Sequence, residues 1–474
     1  MTTRKWFNHF WQAAAISGCL LAIAFVLASC SSSGSGSNSA EPAIVNTHLS
    51  DPATCQAPTG PYSHVYVTIS DVEASVSSTA GATDSGWVDL APGLKTSPKQ
   101  IDLLGQANNQ CFLATLGDNL QLQPGNYQQI RMILASDSTA ISGDTCNGKG
   151  NCVVLASDSS VHTLQLSSEA QTGIKISSGQ IAGGGFNISA GQTKDLDIDF
   201  STCESIVQEG NGQYRLKPVL HAGEVSTTST SINGKVLDSA SGNPVNGTVM
   251  VAVEQKDTAG VDRIYQSTLA GADGTFVFCP LPAGTYDVVI VGTRSDNVLY
   301  APAIITGVSV GSTVGSVNLS LPSVVATSTL TLAGTVTSQN SSNAGTVADV
   351  SLSALESVNS TLYTIPLPPT ATQSAATLSV ETAASSGSVT CAAGTDCADY
   401  TMLVPSGSAY IGAWSSGGAT LTVSPSAAAY VVDGIAFVPG SGGTPNCTPS
   451  EVQAAAYSAS STGPVQALAF VQCQ

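Results

Sequence analysis

The chain has 474 residues and a formal net charge of −18, with 32 acidic against 14 basic side chains. Such an excess of negative charge repels nucleic acid and anionic head groups, so neither is expected as a partner. Only 10% of residues are charged while 42% are hydrophobic, which excludes a solvated acidic tail and points to packed domains.

The chain opens with basic Arg4 and Lys5, a mostly apolar stretch from Ala13 to Ala28, and a small-residue site. That order is the order of an export signal, and the stretch is shorter than the about 20 apolar residues a membrane span needs. Leu27-Ala28-Ser29-Cys30 resembles the lipobox of bacterial lipoproteins, in which a peptidase cuts before a cysteine carrying diacylglycerol. The resemblance implies a signal peptide over 1–29, palmitate-type acylation at Cys30, and a membrane partner held through the lipid anchor. Ser31 at the next position points to the outer membrane, on its periplasmic or surface face. Removing residues 1–29, which hold two basic residues and no acid, takes the charge from −18 to −20. A Ser/Gly-rich disordered tether is then expected over 30–50, because Ser31 to Ser39 has almost nothing to bury.

Of twelve cysteines, Cys19 falls in the signal and Cys30 takes the lipid, leaving an even ten in an exported chain. Disulfides are expected. Cys146 and Cys152, and likewise Cys391 and Cys397, have five residues between them and read as local staples, and Cys447 can reach Cys473 across the last domain. Cys55, Cys111, Cys203 and Cys279 stay unassigned. No C-x-x-C occurs and the histidines are scattered, so no zinc site and no cofactor are expected.

From Tyr62 onward, alternating runs such as His64-Val-Tyr-Val-Thr-Ile-Ser70 and Gln128-Gln-Ile-Arg-Met-Ile-Leu134 are broken by Gly and Pro turns. The expected class is all-β, as tandem antiparallel β-sandwich domains on the N-terminal tether. Over a domain drawn at 51–225, Trp87-Val-Asp-Leu90, Ile101-Asp-Leu-Leu104, Leu122-Gln-Pro-Gly-Asn-Tyr127, Gly173-Ile-Lys-Ile176, Leu196-Asp-Ile-Asp-Phe200 and Tyr214-Arg-Leu-Lys-Pro218 stand in an order that resembles the bacterial domain of unknown function 4382 family. That resemblance implies export and places Trp87 in the core, but it supplies no activity.

After Ser226 to Ser231, residues 232–322 carry Ile232-Asn-Gly-Lys-Val236, Gly242-Asn-Pro-Val245, Asp273-Gly-Thr-Phe276 and Leu281-Pro-Ala-Gly-Thr-Tyr286. These resemble the carboxypeptidase regulatory-like domain, a transthyretin-type sandwich, and imply a spacer, stability module or glycan contact without catalytic residues. Residues 327–474 read as a third, C-terminal β-rich domain, whose Leu332-Ala-Gly-Thr-Val336 echoes the opening of the second.

Few constellations carry chemistry. Asp195, Asp197 and Asp199 share one face of a strand and could hold a cation such as calcium, although carboxylates roughly 6.5 Å apart on a flat strand need loops to complete the cage. The expectation is a solvated face. Gly143-Asp-Thr-Cys-Asn-Gly-Lys-Gly150 nearly spells a phosphate loop, but Gly150 replaces the magnesium-ligating hydroxyl residue, and a disulfide-closed surface loop is expected. No H-E-x-x-H occurs. Tyr410 and Trp414 are the candidate stacking rings for a ligand, about 13 Å apart over Gly412 on one strand face; burial in the third sandwich is the default. The resulting expectation is a non-enzymatic envelope protein acting as a spacer and interaction array, touching glycan or an envelope protein. The alternatives are a solute- or carbohydrate-binding component of an uptake system and an envelope hydrolase.

Overall fold

The computed structural model describes residues 41–51, 61–105, 113–137, 139, 141, 143–166, 172–209, 212–217, 219–225, 231–322, 327–368, 375–384, 390–438, 446–465 and 467–474. Expectations for the signal, Cys30, the tether as far as residue 40, Cys55, Cys111 and the segment 226–230 lie outside the described residues, as does the side chain of Cys203. Residues 40–474 form one compact unit. The described chain is all-β, with one five-residue α-helix at Pro92–Thr96.

The tether expected over 30–50 is corrected at its end. Ala43–Ser50 is a strand inside the first domain, parallel to Thr193–Phe200 on one side and antiparallel to Ala114–Leu122 on the other. Its alternation explains this: Ala43, Val45 and Leu49 are fully buried, while Ile44, Asn46 and His48 are half-buried. With Leu220–Val225 these strands make a four-stranded sheet, which packs through Leu196, Ile198 and Phe200 against a nine-stranded sheet built around the long strand Tyr62–Ser75.

Beyond residue 231, two three-stranded sheets flank one sheet of twelve strands. Thr275–Phe278, Ile232–Asp238 and Thr313–Leu319 form one small sheet; Asp396–Pro405, Thr329–Asn340 and Leu468–Cys473 form the other. The boundary drawn between 322 and 327 is crossed twice by parallel pairing. Val261–Leu269 pairs with Thr361–Ile365, and Ala303–Ser309 pairs with Tyr410–Ala413. The second and third regions therefore share a sheet instead of standing apart.

The strand Thr285–Arg294 shows why. Its run Val288-Val-Ile-Val291 is buried on both faces, with Val288 and Ile290 in the core under the small sheet and Val289 and Val291 in the core of the third region. A near-continuous apolar run is what a strand covered on both sides requires.

Candidate functional site

The acidic strand is not solvated, which corrects the expectation for its face. Asp195 sits at the rim, accepting from Asn46 Nδ2 at 2.8 Å and lying 3.4 Å from the His48 ring. Asp197 and Asp199 are buried, at 3% and 1% exposure. Ser50 Oγ donates to Asp197 at 2.8 Å and reaches Asp199 at 3.4 Å. The second sandwich covers them: the His221 ring lies 5.0 Å from Tyr265, Pro282 presses against Gly223, and Gln266 interacts with Asp199. Burial, reinforced by Asp199, pushes the Asp197 carboxyl well above the ordinary range, and burial carries Asp199 up to about 7. A cation cage does not form here. The facing groups are a serine, an amide and a ring, and among the described residues no three His, Cys, Asp or Glu are grouped to hold a metal ion.

Cys146–Cys152, Cys391–Cys397 and Cys447–Cys473 are disulfides, and Cys279 is also disulfide-bonded. Within the first of these loops the Asp144 carboxylate accepts the backbone N–H of Cys146 at 2.9 Å, the Gln100 amide at 3.0 Å and the N–H of Gly148. Burial raises its pKa slightly, but these donors hold it below the ordinary range. The N–H groups a phosphate would need are thus taken by the loop's own acid. Trp87, expected in the core, is half-buried instead: its indole N–H donates to the Gly81 carbonyl at 2.8 Å and the Arg131 guanidinium covers its ring at 4.2 Å.

Tyr410 and Trp414 part company. The strand Tyr410–Ala413 leaves the third region and adds to the sheet of the second, so both rings belong to the second sandwich's edge. A Cβ on Gly412 would meet the Thr420 carbonyl oxygen at 2.2 Å, so backbone crosses the gap that was to separate two rings on one platform. Trp414 packs on the second sandwich's core and its indole N–H reaches the Thr313 carbonyl at 3.4 Å. Tyr410 instead lines an open cleft of about 230 Å³ between the two sheets.

The opposite wall of that cleft is the strand Thr313–Leu319, which ends its three-stranded sheet and has one neighbour there, Ile232–Asp238. Ser316, Asn318 and Ser320 bring hydroxyl and amide groups, Ile305, Val314 and Leu421 bring apolar surface, and among the described residues none that lines the cleft is charged. Sequence reading missed Ser316, Asn318 and Ser320. Their only signal is the polar phase of an alternating strand, which any exposed strand shows.

Solved structures resembling this chain include a DUF3823 family protein from Bacteroides uniformis, at 13% identity, covering 52% of this chain and 98% of that one, with a TM-score of 0.16. A shaft pilin SpaA from Lactobacillus rhamnosus GG is 10% identical over 60% of this chain and 99% of its own, at a TM-score of 0.17. A proposed carbohydrate-binding protein from Bacteroides uniformis is 15% identical over 48% of this chain and 96% of its own, at a TM-score of 0.13. No curated protein matches. The first domain is where a family model matches: residues 43–218 correspond to the family described as Domain of unknown function (DUF4382).

Proposed function

We propose that this protein is a non-enzymatic binding module of the cell envelope, lipid-anchored at Cys30, whose cleft beside Tyr410 takes an uncharged glycan. The observation that carries the reading is the cleft lining. A tyrosine ring, two serine hydroxyls, an asparagine amide and aliphatic side chains offer stacking and hydrogen bonds, with no fixed charge among the described lining residues. A pyranose has the matching surface, with an apolar face for the ring and hydroxyls for the amide. The cleft is small, so it suits one sugar residue of a longer chain. The basic start, apolar stretch and Leu27-Ala28-Ser29-Cys30 support the anchor. The turn residues of 232–322 support reading the second sandwich as carboxypeptidase regulatory-like, a spacer fold on which such a cleft can be carried.

The test is isothermal titration of residues 40–474 against neutral envelope glycans, with Tyr410→Ala and Asn318→Ala. Loss of the ring should remove about 1 to 2 kcal/mol, roughly a tenfold weakening, with the melting curve little changed. Absence of binding in the parent, or equal affinity in Tyr410→Ala, overturns the glycan reading. Cys30→Ala should move the protein out of the membrane pellet; unchanged membrane retention overturns the anchor.

A further inference from the structure

The covered face of the acidic strand carries more than packing. Ser50, Asp199 and His221 stand side by side across three strands, and Asp197 lies opposite Gly223 in the next row but one. This face meets Tyr265 and Gln266 of the strand Val261–Leu269 and the turn at Pro282. The buried atoms Asp197 Oδ1, Asp199 Oδ2, Glu204 Oε1, His221 Nδ1 and Gln266 Oε1 have no hydrogen-bond partner among the described residues. The carboxylate and amide oxygens among them can only accept, while His221 Nδ1 donates or accepts with its tautomer, and protons on the carboxyl groups would supply donors to this set.

We propose that this face is a proton-operated joint, in which the first domain closes on the second sandwich while Asp197 and Asp199 are protonated and loosens as they ionise.

Burial opposes ionisation and outweighs the hydrogen bonds from Ser50 and Gln266, which favour the charged form. Asp51, held by Thr202, and Glu204 are further acids that burial also raises, and each opposes charge on Asp199 when ionised, as Asp102 does on Asp51. On the facing sandwich the contacts are Tyr265, with Tyr286 behind it, and Gln266; neither brings a positive charge. Lys217 lies nearer Glu204, with its ammonium on Ser351 and Ser379. The His48–Asp195 and Lys194–Glu224 pairs sit at the rim. His221 is pushed down to about 4 by burial, so it is neutral over the working range and supplies no countercharge. A proton on Asp199, by contrast, becomes a donor for an orphan acceptor such as Gln266 Oε1.

The sign follows from linkage. Both acids hold protons more tightly in the closed joint than in water, so the closed state binds more protons than the open one. Closure is strongest below an ordinary aspartate pKa of about 4. It weakens as pH rises toward the value of about 7 for Asp199, and Asp197, raised well above the ordinary range by burial, acts in the same direction.

The experiment is hydroxyl-radical footprinting of the acylated full chain in detergent between pH 5 and pH 8.5, reading His221 and Tyr265 by mass spectrometry. Scattering from the same samples gives the radius of gyration. Labelling at both rings should rise several-fold at the higher pH, with an increase in radius, while Asp197→Asn/Asp199→Asn stays protected at both. Equal labelling of the parent at the two pH values overturns the joint, as does a double variant that follows the parent. Should the double variant fail to fold, Gln266→Glu serves: another acid in the interface should move the opening midpoint to lower pH, and an unmoved midpoint overturns the proposal.

Discussion

Removing Arg215 should cost this fold more than removing any exposed charge. The residue sits in the strand Tyr214–Leu216 of the first domain and is 7% exposed. Its guanidinium grips Asp349 of the third region with both branches, Nη1 to Oδ2 at 2.6 Å and Nη2 to Oδ1 at 2.5 Å. Nε donates to Glu209 at 3.0 Å, and Nη2 also reaches Glu381. Burial disfavours the charge, but Asp349 and Glu381 more than offset it and raise the pKa of the guanidinium. Asp349 itself is only 2% exposed. Arg215→Met would keep most of the stem and leave that carboxylate buried without its partner, a loss of about 3 to 5 kcal/mol for breaking one side of a buried pair. Glu209 and Glu381 are wetter and should add little. Arg215→Met/Asp349→Leu removes both charges and should recover most of the loss, because an apolar pair can replace a buried ion pair at small cost. Urea unfolding of residues 40–474 for the parent, both singles and the double closes the cycle. A single variant costing under about 1 kcal/mol, or a double costing the sum of the singles, refutes the reasoning.

Reducing Cys447–Cys473, which closes 26 residues, should cost about 3.5 kcal/mol on the chain-entropy estimate, against about 2 kcal/mol for Cys391–Cys397 with its separation of 6. Cys→Ser pairs compared by urea midpoint check the order, and equal losses would contradict it.

Strand content was legible because alternation survives in residues such as Val65, Val67 and Ile69, all fully buried. What covers a strand was not. Asp195, Asp197 and Asp199 alternate with Leu196, Ile198 and Phe200, which identifies two faces. Nothing local says that Gln266 and Tyr265 lie over the acidic one. The same holds for Ala43–Ser50, whose alternation was present but followed a Ser/Gly-rich segment and was absorbed into it. Tyr410 was found as a ring, yet its companions Ser316 and Asn318 come from another region, about a hundred residues earlier, and meet it only because Tyr410–Ala413 pairs with Ala303–Ser309. Parallel pairing between distant strands leaves no turn signature, unlike an antiparallel hairpin.

That pairing also decides whether the second sandwich can stand alone. Met250, Val289, Val291 and Ile304 are fully buried, and they belong to the core shared with the third region. A fragment ending at residue 322 would expose all four, forfeiting about 2 kcal/mol each, or about 8 kcal/mol together. It would also strip Thr361–Ile365 from Val261–Leu269 and Tyr410–Ala413 from Ala303–Ser309, leaving two strands with bare edges. A loss of that size is comparable to the whole stability of a small domain. Residues 231–322 expressed alone should therefore be unfolded or associated, while 231–474 should be monomeric and fold cooperatively, as read by gel filtration and circular dichroism. If 231–322 is instead monomeric and melts within a few degrees of 231–474, the two regions are independent sandwiches after all, and the shared sheet contributes nothing to their stability.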